Sequence, residues 1–128
     1  MAKQTLRITS TDQFESTVAQ ALATSDPVFV VFISTLNEDG IFWCPDCRVS
    51  DPVFKKAFDE LENYCLVECA IQRDGYKGNP EHPYRTHPRI QLKGIPTLMS
   101  WKQDTQSKFA EDECGNFEKV SAFLKANL

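Results

Sequence analysis

Two cysteines three residues apart, in Trp43-Cys44-Pro45-Asp46-Cys47, are the residues of this chain best suited to chemistry. Thiols at that spacing can close a small disulfide ring and reopen it, so the pair can store and return two electrons. The neighbouring residue types say which thiol attacks. With Cys44 as the N-cap of a helix, Pro45 falls at the first helical position, where a missing N–H costs nothing. The Cys44 sulfur then faces unpaired helix N–H groups and the positive end of the helix dipole, both of which favour a thiolate. Cys47, one turn in and pointing back toward the sheet, is expected to be the less exposed, resolving thiol. Asp46 stabilises the helix start but repels a neighbouring thiolate, which favours the disulfide and makes the reduced pair the better electron donor. Cys44 and Cys47 are therefore the expected catalytic pair, with Pro45 and Asp46 tuning it. Trp43 can offer a flat docking surface beside the nucleophile, anchor the loop before it, or do both. No bound cofactor is expected, because the redox-active group is the Cys44–Cys47 disulfide itself.

The remaining candidates read more plainly. Cys44-x-x-Cys47 followed by Cys65-x-x-x-Cys69 superficially invites a four-thiolate zinc site. Zinc ribbons hold their ligands on tight turns, whereas Cys65 and Cys69 lie four apart in an apolar strand pattern, on one face, where cysteine acts as a small hydrophobe. No metal is expected. Cys114, just ahead of a glycine and a helix start, reads as a turn residue, with an exposed, oxidisable thiol as the second possibility. His82 and His87 sit in a proline-rich loop, where solvated side chains are expected.

Positioning the cysteine pair falls to the segments on either side. Val28-Phe29-Val30-Val31-Phe32-Ile33 is a continuous apolar run without alternation, as in a central strand buried on both faces. Ser34 to Gly40 reads as a polar loop leading to Trp43. After Cys47, the residues Val49, Val53, Phe54, Ala57, Phe58 and Leu61 keep helical spacing, and Pro52 is expected to kink that helix. Upstream, Leu6-Arg7-Ile8 is a short strand. Ser10 with Gln13 and Asp12 with Glu15 resemble capping boxes for a helix striped by Phe14, Val18 and Leu22. Downstream, Cys65 to Ile71 is a second buried strand, and Arg73 to Gly94 an irregular connector with room for one short helix. Gly94 to Trp101 reads as a strand entered through Pro96, Lys108 to Glu111 as an edge strand, and a last helix begins near Asn116 with Phe117, Val120, Leu124 and Leu128 on one face. This order implies an α/β fold: a mixed sheet with a parallel core, an antiparallel hairpin at the end and helices on both faces.

At 128 residues and 41% hydrophobic, the chain suits one compact domain over residues 1–128. A net charge of −4, with Lys and Arg scattered rather than striped, provides no footprint for nucleic acid or an anionic membrane. The opening Met1-Ala2-Lys3-Gln4 leads into no apolar leader, and no run reaches membrane-spanning length, so a cytoplasmic monomer is the expectation. Five cysteines, an odd number, do not make the framework of a small secreted domain.

Taken together, the element order, Trp-Cys-x-x-Cys at a strand-to-helix junction, Pro52 five residues past Cys47, and Gly94-Ile95-Pro96-Thr97 resemble the thioredoxin superfamily over nearly the whole chain. Within it, Trp43-Cys44-Pro45-Asp46-Cys47 with Asp51-Pro52-Val53, the extended loop before Trp43, Asn79-Pro80 to Tyr84-Arg85, Ile95-Pro96-Thr97-Leu98 and Glu113-Cys114 resemble the 14-kDa thioredoxin-related family, also called the thioredoxin domain-containing protein 17 or Clot family. The resemblance implies a thioredoxin fold and a cytosolic disulfide reductase. It also implies recharging by thioredoxin reductase with NADPH, and action on small disulfides such as cystine and on selected protein disulfides. It makes Cys44 the nucleophile, Cys47 the resolving thiol and Pro96 a cis-proline facing them, with the Ile95 backbone free to pair with an extended substrate. One departure is that thioredoxin carries a buried aspartate in the strand before its motif, whereas Val28 to Ile33 holds no titratable residue. Glu68 could serve Cys47 as a base through water, but a solvent-facing strand glutamate is the plainer reading. The loop Ser34 to Phe42 is longer than thioredoxin's and should narrow access for folded partners, while Glu38, Asp39 and Asp46 should repel acidic ones. A second class of function is a binding module that regulates a signalling or motor partner and uses its thiols only to sense oxidation.

Overall fold

The computed structural model describes residues 3–109 and 113–128. Its elements run β1 (Lys3–Ile8), α1 (Phe14–Thr24), β2 (Val28–Ser34), α2 (Pro45–Asp59), β3 (Tyr64–Ile71), α3 (Pro83–Thr86), β4 (Thr97–Trp101), β5 (Gln106–Phe109) and α4 (Phe117–Ala126). The strands form one sheet in the order β1-β3-β2-β4-β5, with β1, β3 and β2 mutually parallel and β4 and β5 antiparallel. The expected mixed α/β sheet with a terminal hairpin is what the chain builds. The expected edge strand starts two residues earlier, at Gln106, and its Ala110 and Glu111 fall outside the described residues.

β2 is central because every residue in it is buried, so its apolar run is used on both faces. Phe29 meets Phe58 of α2 on one face, with ring centroids 5.5 Å apart. Phe32 stacks on Phe14 of α1 on the other, at 6.1 Å. α2 and α4 share the first layer, joined by Lys56 over the Phe117 ring at 4.5 Å and by a hydrogen bond from the Ser121 hydroxyl to Glu60 at 2.9 Å. α1 and α3 cover the other face, where Tyr84 packs edge-on against Phe14 and Phe32. Register places Cys65 opposite Val28 and Cys69 opposite Phe32, on the α1 face, while the Cys44–Cys47 pair begins α2 on the other. The two cysteine pairs therefore belong to different layers. Among the described residues, no group of three or more His, Cys, Asp or Glu side chains is placed to share a metal ion, and no helix is long and apolar enough to cross a membrane.

Several local expectations change. Neither capping box forms: Ser10 hydrogen-bonds the Asp12 carboxylate instead, and Thr11–Gln13 winds as a 3-10 turn ahead of α1. α2 runs unbroken through Pro52. Val49 is 60% exposed rather than part of the buried stripe, and Leu128 projects past α4 at 63%. Asn116 caps α4 by accepting the Lys119 N–H at 3.1 Å.

Candidate active site

The site is built at the end of β2. Ser34, which the polar loop was expected to claim, is instead the last residue of the strand and fully buried. The chain then turns out in a hairpin-like loop. The Asn37 side-chain oxygen accepts the N–H groups of Asp39 and Ile41, and Leu36 bridges Phe42. Gly40 closes the turn at φ +75, a conformation that a side chain would strain. Trp43 returns to the sheet, its N–H bonding the Thr35 carbonyl at 3.3 Å and its indole N–H the Ile71 carbonyl at 2.9 Å. The indole is thus anchored, and it also lines the cleft beside Cys44.

Cys44 is the N-cap of α2, with extended backbone, and Pro45 occupies the first turn. The Cys44 carbonyl accepts the N–H groups of Cys47 and Arg48, while the Cys44 N–H donates to the Ser34 hydroxyl at 3.4 Å. Across the site the Ile95–Pro96 peptide is cis, and the Cys44 thiol donates to the Ile95 carbonyl at 3.6 Å. Cys44 retains 7% exposure and Cys47 none, the expected order of access. All five cysteines are free thiols, so the structure shows the reduced pair. Burial pushes the Cys47 thiol far up, opposed by the main-chain N–H and hydroxyl of Ser34, while a hydrogen bond to the Cys44 sulfur raises it further. Cys44 is thus the more accessible thiol, and Cys47 the one whose proton burial holds on.

Glu68 does not reach this pair. It bonds Arg7 at 2.5 Å across β1 and β3 and lines a separate cavity of about 350 Å³ beneath α2. The group in contact with the Cys47 sulfur is Ser34, a residue that sequence reasoning missed because a serine at the end of an apolar run looks like the start of a loop. Cys114 is buried, its thiol donating to the Pro96 carbonyl at 3.8 Å, so the exposed reading is corrected. His82 and His87 are not solvated either. His82 accepts the Tyr84 N–H at 3.2 Å as the N-cap of α3, and burial lowers its pKa. His87 pairs with Glu15 at 3.2 Å and packs on Phe14 and Trp101. Tyr84 and Arg85 tie the connector down, with the Arg85 guanidinium 4.1 Å above the Tyr76 ring.

With this geometry, residues 7–126 match the thioredoxin domain of thioredoxin domain-containing protein 17-like proteins. The chain belongs to that family. Human thioredoxin domain-containing protein 17 is 28% identical to it over 102 residues, 79% of this chain and 72% of that protein. A Leishmania braziliensis protein named acireductone dioxygenase is 42% identical over 72 residues, 52% of this chain but only 21% of that protein. The chain thus spans about a fifth of that relative's length. The reduced thioredoxin pre-protein of Schistosoma mansoni superposes with a TM-score of 0.63 at 16% identity, over 98% of this chain and 99% of that one, which shows a shared fold.

Within the thioredoxin domain-containing protein 17-like family frame, the cleft beside Cys44 carries a second feature that the sequence did not disclose. It has a volume of about 560 Å³, within the range of small-ligand sites of roughly 300–1,000 Å³. Among the described residues Asp46 is the one carboxylate lining it, and Glu38 and Asp39 are not part of the lining. Of the expected acidic guard, only Asp46 lines the cleft.

Proposed function

We propose that this member of the thioredoxin domain-containing protein 17-like family is a thiol–disulfide oxidoreductase working as a disulfide reductase. The observation that carries this is the N-capping Cys44 thiol, slightly exposed and 3.6 Å from the Ile95 carbonyl across the cis Ile95–Pro96 bond, with the fully buried Cys47 one turn behind it. In the reaction, the Cys44 thiolate attacks one sulfur of a disulfide, forms a mixed disulfide and expels the first thiolate. Cys47 then gives up its proton and attacks the Cys44 sulfur, expelling the second. The substrate gains two electrons and two protons as two thiols, and the protein is left as the Cys44–Cys47 disulfide.

Trp43, Ile95 and Pro96 form the docking surface, and Pro45 and Asp46 set the poise of the pair. Small disulfides such as cystine and selected protein disulfides are the substrates, and thioredoxin reductase with NADPH returns the electrons. The protein acts as a cytoplasmic monomer without a bound cofactor. The hydrogen-bonded loop before Trp43 supports a preference for small substrates, since a fixed hairpin crowds a folded partner more than a floppy one would. Leu36 and Ile41 on that loop, 51% and 47% exposed, are what favours the second reading, a module that docks a protein partner and senses oxidation.

The test is NADPH consumption with thioredoxin reductase, using cystine and insulin as substrates. Turnover that disappears in Cys44→Ser supports the reductase. Absence of turnover with either thioredoxin reductase or a glutathione system would leave only the sensing module.

A further inference from the structure

The chain carries 18 acidic and 14 basic residues, so a surface sampled at random should be acid-rich. The cleft beside Cys44 is the reverse among the described residues: Arg48, Arg73, Lys77, Arg85 and Lys93 line it against a single carboxylate, Asp46. Among the described residues, none of the five cations lies within ion-pair distance of any carboxylate, whereas five of the nine Lys and Arg elsewhere are paired: Lys3, Arg7, Lys55, Lys119 and Lys125. Unpaired like charges gathered in a concave surface repel one another, which is a stability cost unless a ligand uses the field.

Two of the cations are held in place by groups that do not neutralise them. Arg48 donates its Nε–H to the Phe42 carbonyl at 2.7 Å, which leaves the end of the guanidinium free. Arg85 stacks on Tyr76 and donates to the Tyr76 and Lys93 carbonyls at 3.4 and 3.5 Å, and its buried Nε has no hydrogen-bond partner. Arg73 and Lys77 stand at the two ends of one turn, closed by the Lys77 N–H to Arg73 carbonyl bond at 3.0 Å, and so present their side chains together.

Resting on the reductase reading, we propose that this cleft is a carboxylate subsite that selects small anionic disulfides, those whose thiol halves bear carboxylates a few bonds from sulfur. One sulfur meets Cys44 while the carboxylates lie against the Arg73, Lys77 and Arg85 side. The apolar parts rest on Trp43 and Tyr76. A planar guanidinium fixed in position suits a carboxylate because it can donate two parallel N–H bonds. Electron flow is that of the reductase, and the subsite changes only which disulfide reaches Cys44.

The experiment uses three disulfides of similar length and different charge: 3,3′-dithiodipropionate, bis(2-hydroxyethyl) disulfide and cystamine. At low salt kcat/KM should fall in that order, with the dianion favoured over the dication by about tenfold or more, and added salt should close the gap. In the double variant Arg73→Glu/Lys77→Glu the dianion-to-dication ratio should drop by about tenfold. Reading the ratio removes whatever the substitutions do to the nucleophile or to folding. A wild-type protein that reduces all three alike, or prefers the dication, overturns the subsite and leaves the reductase standing. A ratio unmoved in the double variant also overturns it. A protein that reduces none of the three, with both thiols titratable, loses the reductase reading itself.

Discussion

Ser34→Ala isolates the second half of the catalytic cycle. The Ser34 hydroxyl and main-chain N–H are the groups that draw the Cys47 thiol down against the burial that pushes it up. Alanine keeps the main-chain donor and deletes only the hydroxyl. A hydrogen bond to a charged group contributes about 1.5–3 kcal/mol, and because the main-chain donor has the larger effect, the low end applies. That corresponds to roughly tenfold slower formation of the Cys47 thiolate and of the ring closure that depends on it. The Cys44 attack does not pass through Cys47, so it should keep its rate. A single turnover with an aryl disulfide separates the steps, since the first leaving thiol reports attack and the second reports resolution. The variant should show an unchanged first phase, a second phase about tenfold slower, and a mixed disulfide that accumulates on acid quenching. Ser34→Thr, which restores the hydroxyl, should restore the second phase. The same change leaves the Cys44 N–H, now bonded to that hydroxyl at 3.4 Å, without its partner, which costs about 1 kcal/mol of folding stability. An unchanged second phase, or both phases slowed equally, would refute the assignment, because Ser34 would then act only by holding Cys44 in place.

Three further outcomes follow from the same geometry. In the reduced protein iodoacetamide should modify Cys44 well before Cys47, given 7% against 0% exposure, and mapping the label by mass spectrometry checks the order; faster labelling of Cys47 would reverse the roles. Asp46→Asn should make the reduction potential about 10–20 mV less negative, the size expected of one exposed charge beside a thiolate, and equilibration against a glutathione buffer would expose a shift of the opposite sign. Stability should fall at alkaline pH: burial holds Cys69 up at about 12 and Cys47 higher, so above pH 9, where free thiols ionise, the native state binds more protons than the unfolded one and the slope of stability with pH is negative. Urea midpoints at pH 8 and pH 10.5 check this, and the disulfide form, in which Cys47 cannot ionise, should lose less than the reduced form.

The fold was legible because its strongest signals are local and periodic. The run Val28 to Ile33 could only be a strand with both faces covered, and Trp43 to Cys47 could only open a helix whose first residue is proline. Failures fell where a residue's partner is distant in sequence. Ser34 looked like loop until Cys44 and Cys47 came back to it from ten and thirteen residues on. His82 and His87 looked solvated until α3 used one as a cap and Glu15 met the other. Val49 kept the helical period yet stands out at 60%, because periodicity predicts a face but not where the layer above it ends.

Charge was the hardest property to read, and for a physical reason. At cellular ionic strength a charge is felt over about 8 Å, so a substrate approaching Cys44 responds to the residues lining the cleft and hardly to the total. The net charge of −4 belongs to the whole surface. The five lining cations come from α2, the turn after β3, α3 and the approach to Ile95, segments far apart in the chain, while Glu38 and Asp39, close to the motif in sequence, are not among the residues that line the cleft. Asp46 alone combines proximity in sequence with a place in the cleft. One carboxylate therefore acts on the poise of the pair while five cations act on what binds beside it, and the two effects are separable. Asp46→Asn should move the reduction potential and, by removing a lining carboxylate, raise the dianion-to-dication ratio, whereas Arg73→Glu/Lys77→Glu should lower the ratio and leave the potential nearly unchanged.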